Sequence, residues 1–218
     1  MRLVLFGPPG AGKGTQARRL TDRFSLHQIS TGDLFRAALR DETPVGLEAK
    51  GYMNRGRLVP DTVVNKMVEG ALDALGNDDY ILDGFPRTVD QVRWLLGYLD
   101  ERGEPLDAVL SLKVDPETVV QRLSRRRTDR ETGAIYHLDF NPPPADLPPE
   151  RLLHRPDDEP DAIRTRLNVY ADETRPLETI FRDETCFYEI DGMGEMDDVH
   201  DRILAALRDA GVLDEASA

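Results

Sequence analysis

One cysteine, Cys186, occurs in 218 residues, so no intrachain disulfide can form and a cysteine-built zinc site is excluded. The four histidines, His27, His137, His154 and His200, are too scattered to replace it. Long apolar runs are also missing. The hydrophobic stretches are strand-sized, and none approaches the roughly 18 to 20 residues that cross a bilayer, so no membrane span is expected. The first of them, residues 3–6, follows directly on Met1-Arg2 and runs into a glycine loop, which leaves no room for a signal peptide and predicts a cytoplasmic protein.

Lysine is the other scarce residue. Four lysines (Lys13, Lys50, Lys66, Lys113) and 24 arginines face 26 aspartates and 15 glutamates, for a net charge of −13. A surface this acidic repels polyanions, so neither nucleic acid nor an anionic membrane is an expected partner. Hydrated carboxylates screened by counterions suit a high-salt cytoplasm, and the composition predicts an organism adapted to one. With 39% hydrophobic residues the chain can bury a core, and its length fits one α/β domain carrying insertions.

Strand-like segments at 3–6, 27–29, 80–82, 108–112 and 186–190 alternate with helical patterns at 13–24, 62–74, 89–101, 116–127, 163–171 and 196–210. That order predicts a five-stranded parallel sheet flanked by helices. Two stretches interrupt it. The first, 30–59, opens on the capping pattern Ser30-Thr31-Gly32-Asp33 and reads as short helices forming a small lid. The second, about 128–158, is rich in Asp, Arg and Pro, has too few apolar residues for a core, and reads as a long mobile lid.

Gly7-Pro8-Pro9-Gly10-Ala11-Gly12-Lys13-Gly14-Thr15 lies between the first strand and the first helix, the context a phosphate-binding loop requires. Glycines let backbone N–H groups converge on an anion, the helix start adds partial positive charge, and Lys13 adds a full one. Tyr80-Ile81-Leu82-Asp83 ends an apolar strand in a carboxylate, an arrangement that holds magnesium beside such a loop, with the Thr15 hydroxyl as a second ligand. Guanine recognition through Asn-Lys-x-Asp is absent, because Asn65-Lys66-Met67-Val68 lacks the aspartate; a regulatory GTPase is disfavoured.

The phosphate loop extended by Gln16, the string Ser30-Thr31-Gly32-Asp33-Leu34-Phe35-Arg36, and Asp83-Gly84-Phe85-Pro86-Arg87-Thr88 followed by Gln91 resemble the adenylate kinase family over nearly the whole chain. The resemblance implies reversible, magnesium-dependent phosphoryl transfer from ATP to AMP, giving two ADP, by a monomer. It divides the chain into a core (1–29, 60–121, 159–218), a nucleoside-monophosphate lid (30–59) and an ATP lid (122–158). On the AMP side it implies Thr31, Arg36, Arg57, Leu58, Val59, Gly84, Phe85, Pro86, Arg87 and Gln91. An amide at Gln91 can both donate to and accept from an adenine edge, and Arg36 and Arg87 would grip the AMP phosphate. On the ATP side it implies Gly10, Ala11, Gly12, Lys13, Gly14, Thr15, Arg122, Arg126, Ile135 and Tyr136, with the base near Gly194. Arg155 and Arg166 close the site onto AMP and, with Lys13, Arg87, Arg122 and Arg126, stabilise the moving phosphoryl group.

Five arginines fall in Arg122-Leu123-Ser124-Arg125-Arg126-Arg127-Thr128-Asp129-Arg130. A helix continuing to residue 127 would set Arg122 and Arg126 on one face, four apart, where they repel unless an anion lies between them. Arg125, Arg127 and Arg130 read as a solvated basic face. In relatives that hold this lid with a four-cysteine zinc site, Asp129 and Thr132 occupy the first cysteine pair, so zinc is not expected. Other relatives hold the lid with a polar hydrogen-bonded cluster, and the stretch matching its second half here, around Asp146-Leu147-Pro148-Pro149, is short and proline-rich. Two other readings stay open: a sister kinase of GTP:AMP or UMP/CMP specificity, and a nucleotide sensor without useful turnover.

Overall fold

The computed structural model describes residues 1–76, 79–184 and 187–214. In chain order its strands are β1 (Arg2–Phe6), β2 (His27–Ser30), β3 (Tyr80–Asp83), β4 (Ala108–Lys113), β5 (Arg126–Asp129), β6 (Ile135–His137), β7 (Leu152–Leu153) and β8 (Phe187–Asp191). The helices are α1 (Lys13–Phe24), α2 (Thr31–Arg40), α3 (Pro44–Asn54), α4 (Asp61–Leu75), α5 (Val89–Asp100), α6 (Pro116–Ser124), α7 (Pro160–Val169), α8 (Leu177–Glu184) and α9 (Met196–Asp209). Five strands form one parallel sheet in the order β2-β3-β1-β4-β8, the architecture the alternation predicts. Cys186, placed at the start of the last strand by its sequence, lies outside the described residues.

The central strand carries the logic of the core. Val4 and Phe6 point to one face and join Ile29, Leu82, Val92, Leu95, Val109 and Phe181; Leu3 and Leu5 point to the other and join Leu20, Ile81, Leu110, Ile203 and Leu207. Burial on both faces is what a helix-covered parallel sheet demands of its middle strand. Register then places the chemistry. Leu5 pairs with Asp83 and Phe6 with Ser111, so the loop leaving β1 and the carboxylate ending β3 emerge together at the C-terminal edge of the sheet.

Four local expectations are corrected. The helix predicted over 116–127 stops at Ser124, with Arg125 as its cap. Arg126 opens β5 instead, so Arg122 and Arg126 do not share a helix face: pairing of β5 with β6 and β7, and an ion pair of Arg126 with Asp158, outweigh helix continuation. Second, the segment expected to be a long mobile lid without a core contains a three-stranded antiparallel sheet in the order β6-β5-β7, built on backbone pairing and ion pairs rather than apolar burial. Third, α7 begins earlier than its apolar pattern indicates and runs into a π-helical stretch, Tyr170–Thr174. Fourth, α8 went unread: its eight residues are too few to show a period, and it forms because Leu177 and Phe181, four apart, are fully buried. The other helices start and end within a residue of their predicted bounds, and 30–59 holds the short helices α2 and α3.

Candidate active site

Gly12 caps α1 in the left-handed region at φ 94°, with no side chain accepting from the first-turn amides. Those N–H groups therefore face the cleft, where an anion can take the capping role. Lys13 reaches back over the loop, donating from Nζ to the carbonyls of Gly7 (2.9 Å) and Pro8 (2.8 Å). Burial pulls its pKa down to about 7, Asp83 opposes the change, and Arg87, Arg166 and Arg126 add to it. Asp83 is pushed the other way: burial raises its pKa, Lys13 opposes, and one oxygen accepts from Gln28 Nε2 at 3.1 Å. Cations crowded until their charged forms are disfavoured make a site suited to a polyanion.

A cleft of about 1960 Å³, open to solvent, gathers Gly10, Ala11, Gly12, Lys13, Gly14, Thr15, Arg122, Arg126, Ile135, Tyr136 and Gly194 from five separate segments. A smaller recess of about 610 Å³ gathers Thr31, Arg36, Arg57, Leu58, Val59, Gly84, Arg87 and Gln91. Gly32, Arg36, Gly84, Arg87 and Arg166 line both, so the two spaces meet at a wall of three arginines. Arg155 lines the cleft, and Pro86 lines an adjoining space with Lys13, Arg87 and Arg166. Phe85 is the exception: its ring is buried in the core, edge-on to Trp94 at 5.9 Å, and faces neither space.

Neighbours within the motifs, and Asp61 outside them, hold these groups. Gln91 accepts from the Arg87 amide (2.7 Å) and donates to Asp61 (2.7 Å), which also accepts from Thr88 Oγ1 (2.8 Å). One N–H and one lone pair of the Gln91 amide remain for a base edge. Arg87 Nε donates to the Gly84 carbonyl at 2.6 Å, and Thr31 Oγ1 donates to the same oxygen at 2.9 Å. Ser30 caps α2 by accepting from the Asp33 amide, while the Asp33 carboxylate pairs with Arg36.

Along the three-stranded sheet, Arg126 makes two bonds to Asp158 (2.8 and 2.7 Å), Arg166 pairs with Asp157 (2.7 Å), and Arg155 donates to Thr128 Oγ1 (2.7 Å). Burial, with Arg36 and Arg126 close by, brings Arg155 down to about 9, and burial with Arg126 brings Arg166 to about 10. Two carboxylates thus steady Arg126 and Arg166, and the Thr128 hydroxyl steadies Arg155, while all three arginines line the cleft. Arg-Pro-Asp-Asp at 155–158 was a signal for this arrangement, although only folding pairs each acid with its arginine. Of the arginines read as a solvated face, Arg125 pairs with Asp139 and Arg127 donates to the carbonyls of Ser124 and Arg126.

The three-stranded sheet has its own polar brace. Asp129, 1% exposed, accepts from Arg151, from Thr132 Oγ1 (2.7 Å) and from the Glu131 amide (3.0 Å). The second half comes from Arg151, not from the proline-rich 146–149 stretch. Hydrogen bonds from Arg151 hold the Asp129 carboxyl well below the usual carboxylate range. Its folded-state pKa lies below its unfolded value near 3.9, so this stabilisation is complete above about pH 4 and is lost as pH falls. Hydrogen-exchange protection of the small-sheet amides, corrected for intrinsic exchange, should therefore fall progressively as the pH is lowered below about 4. In Asp129→Asn it should be low throughout and flat with pH; an unchanged acid response in that variant would contradict the brace. Among the described residues, no group of three or more His, Cys, Asp or Glu side chains is placed to share a metal ion, and no helix is long and apolar enough to cross a membrane.

Comparison with known proteins agrees with this geometry. A family model described as adenylate kinase matches residues 5–186. The chain is 49% identical over 207 residues to an adenylate kinase of Salinibacter ruber, covering 95% of this chain and 98% of that protein. It is 46% identical over 215 residues to one from Geotalea uraniireducens (95% and 98% covered) and 39% identical over 207 residues to one from Pyrococcus abyssi (93% and 94% covered). With a phosphate loop, a second anion recess and an arginine wall between them on this sheet, and with matches that run nearly end to end, the chain belongs to the adenylate kinase family.

Proposed function

We propose that the protein catalyses reversible transfer of the terminal phosphoryl group of ATP to AMP, giving two ADP. One observation carries this reading: the phosphate-loop cleft and the smaller recess share Arg36, Arg87 and Arg166, so phosphates entering from the two sides meet there. The cleft takes ATP through Gly10, Ala11, Gly12, Lys13, Gly14 and Thr15, with Arg122, Arg126, Ile135, Tyr136 and the Gly194 turn toward its ribose and base. The recess takes AMP through Thr31, Arg36, the 57–59 backbone, Gly84, Arg87 and Gln91. The core comprises 1–29, 60–121 and 159–218, with 30–59 covering AMP and 122–158 covering ATP.

Two polyanions must approach within bonding distance, and their repulsion is the first barrier. Lys13, Arg87, Arg122, Arg126, Arg155 and Arg166 offset it and hold donor and acceptor in line. A phosphate monoester has a second pKa near 6, so the AMP oxygen attacks at neutral pH without a general base. Closure of both covers excludes water, which would otherwise accept the phosphoryl group. Asp83 and the Thr15 hydroxyl offer hard oxygen donors that fit magnesium, and a buried carboxylate with a raised pKa gains from a cation beside it. Magnesium bound there would neutralise charge on the polyphosphate.

The enzyme is proposed to work as a cytoplasmic monomer with nucleotides, not nucleic acid or membrane, as partners. Coupled ADP formation from magnesium-ATP with AMP, UMP, CMP and GMP, in molar potassium chloride, tests the reaction. Turnover with AMP alone supports it; turnover with UMP or CMP moves the enzyme to a sister specificity, and none with any acceptor favours a sensor. The acidic composition further predicts salt adaptation, with an unfolding midpoint that rises between low and molar potassium chloride. A midpoint that stays level or falls would sink that part.

A further inference from the structure

Gln16 sits one residue beyond the phosphate loop, 2% exposed, on the first turn of α1. Its Nε2 donates to the carbonyl of Met196 at 2.9 Å, the residue that opens α9. Its Oε1 lies 3.0 Å from Nδ1 of buried His200, one turn further along α9. An amide oxygen only accepts, so Nδ1 carries the proton and donates. Burial, with Arg19 and Arg23 of α1, lowers the His200 pKa against the opposing Asp197 and Asp201 of α9, which favours the neutral ring. Without His200, the Gln16 amide could turn about its terminal torsion and release Met196.

The loop between β8 and α9 forms the base end of the donor cleft. Its first half is held by arginines: Arg122 donates to the Gly192 carbonyl (3.1 Å), and Arg202 to those of Asp191 (2.8 Å) and Met193 (2.7 Å). Its second half is anchored through Met196 to Gln16, and therefore to the phosphate loop. Besides the exposed Arg19–Asp197 pair at 2.5 Å, the buried Gln16 amide thus ties the group that holds phosphates to the loop that faces the base. We propose that His200 is a positioning residue which, by orienting Gln16, sets the spacing between the phosphate loop and the base-end loop and so favours a full-length nucleoside triphosphate over its phosphates alone. The inference rests on the assignment of this cleft to the donor nucleotide.

Titration calorimetry with ATP, inorganic tripolyphosphate and AMP separates this role from a general one. His200→Leu should weaken ATP roughly 3- to 10-fold, the scale of one hydrogen bond, and leave tripolyphosphate and AMP within twofold. His200→Asn, whose amide sets a donor near the Nδ1 position, should restore ATP to within twofold of the wild type. Equal weakening of ATP and tripolyphosphate, no change in ATP, or no rescue by asparagine in a folded variant would overturn the proposal. Should the leucine variant fail to fold, His200→Gln against His200→Asn decides: selective loss of ATP affinity in the glutamine variant supports the role, and no difference between the two overturns it. The titration needs no turnover. A wild type that binds ATP and AMP without forming ADP would refute the kinase reaction and leave this test standing, whereas equal wild-type affinity for ATP and tripolyphosphate would refute the spacing role.

Discussion

Replacing Arg87 by alanine should lower kcat by about 10²- to 10³-fold, the cost of removing one preorganised donor from a developing anion. Arg87 is half-buried where cleft and recess meet, its Nε is committed to the Gly84 carbonyl at 2.6 Å, and its terminal nitrogens are left for phosphate. Burial lowers its pKa, Asp83 opposes that and Arg36 adds to it, so the free site holds this charge at a cost that phosphates relieve. A contact made only with bound AMP would raise KM and spare kcat; a contact to the transferred group lowers kcat itself. Steady-state kinetics with AMP varied at saturating magnesium-ATP distinguishes them. A kcat within fivefold of the wild type would remove Arg87 from the transfer step. Arg87→Lys should recover little, because an ammonium cannot both bond Gly84 and present a flat fork to phosphate.

Gly46→Ala should weaken AMP binding more than about tenfold while leaving ATP binding within about twofold. A methyl carbon at Gly46 would stand 2.2 Å from the Ala38 carbonyl carbon and 2.3 Å from both the Ala38 oxygen and the Leu39 nitrogen. Those are backbone atoms, so no rotamer change relieves the collision and the two helices must separate. Overpacking of this kind typically costs 1 to 3 kcal/mol. The displaced helix, α2, carries Thr31 and Arg36, and its partner α3 runs toward the turn holding Arg57 and Leu58. The phosphate loop lies on β1 and α1 and does not depend on this contact. Calorimetric titration of AMP and ATP against the variant tests the expectation; equal loss of both would mean that the disturbance spreads through the sheet.

Some of this molecule is determined by local sequence. Residues 3–6 are apolar without interruption because both faces of β1 are covered, and the glycines, Lys13 and Thr15 follow at once, so the strand could be placed to within one residue and the helix start at Lys13 itself. Ser30 reads as a cap because its side-chain oxygen meets an amide only three residues away. The arginines at 36, 87, 122, 126, 155 and 166 are visible in the chain, and their motifs carry the resemblance to adenylate kinases.

Pairing over long separations was not legible. Arg126 continues an apparent helix in the sequence, yet it becomes a strand residue because Asp158, 32 residues on, supplies two hydrogen bonds. The lid reads as a mobile segment without a core because Asp129 meets Arg151 only after three short strands assemble, and charged residues leave no apolar period to follow. Gln16 and His200 are 184 residues apart and touch only because α1 and α9 pack on the same face of the sheet. Composition, caps and turns act within a few residues and are fixed by covalent neighbours. Which acid steadies which arginine, and where two nucleotides would meet, are decided by tertiary structure, because those contacts exist only once the sheet has brought distant loops to one edge.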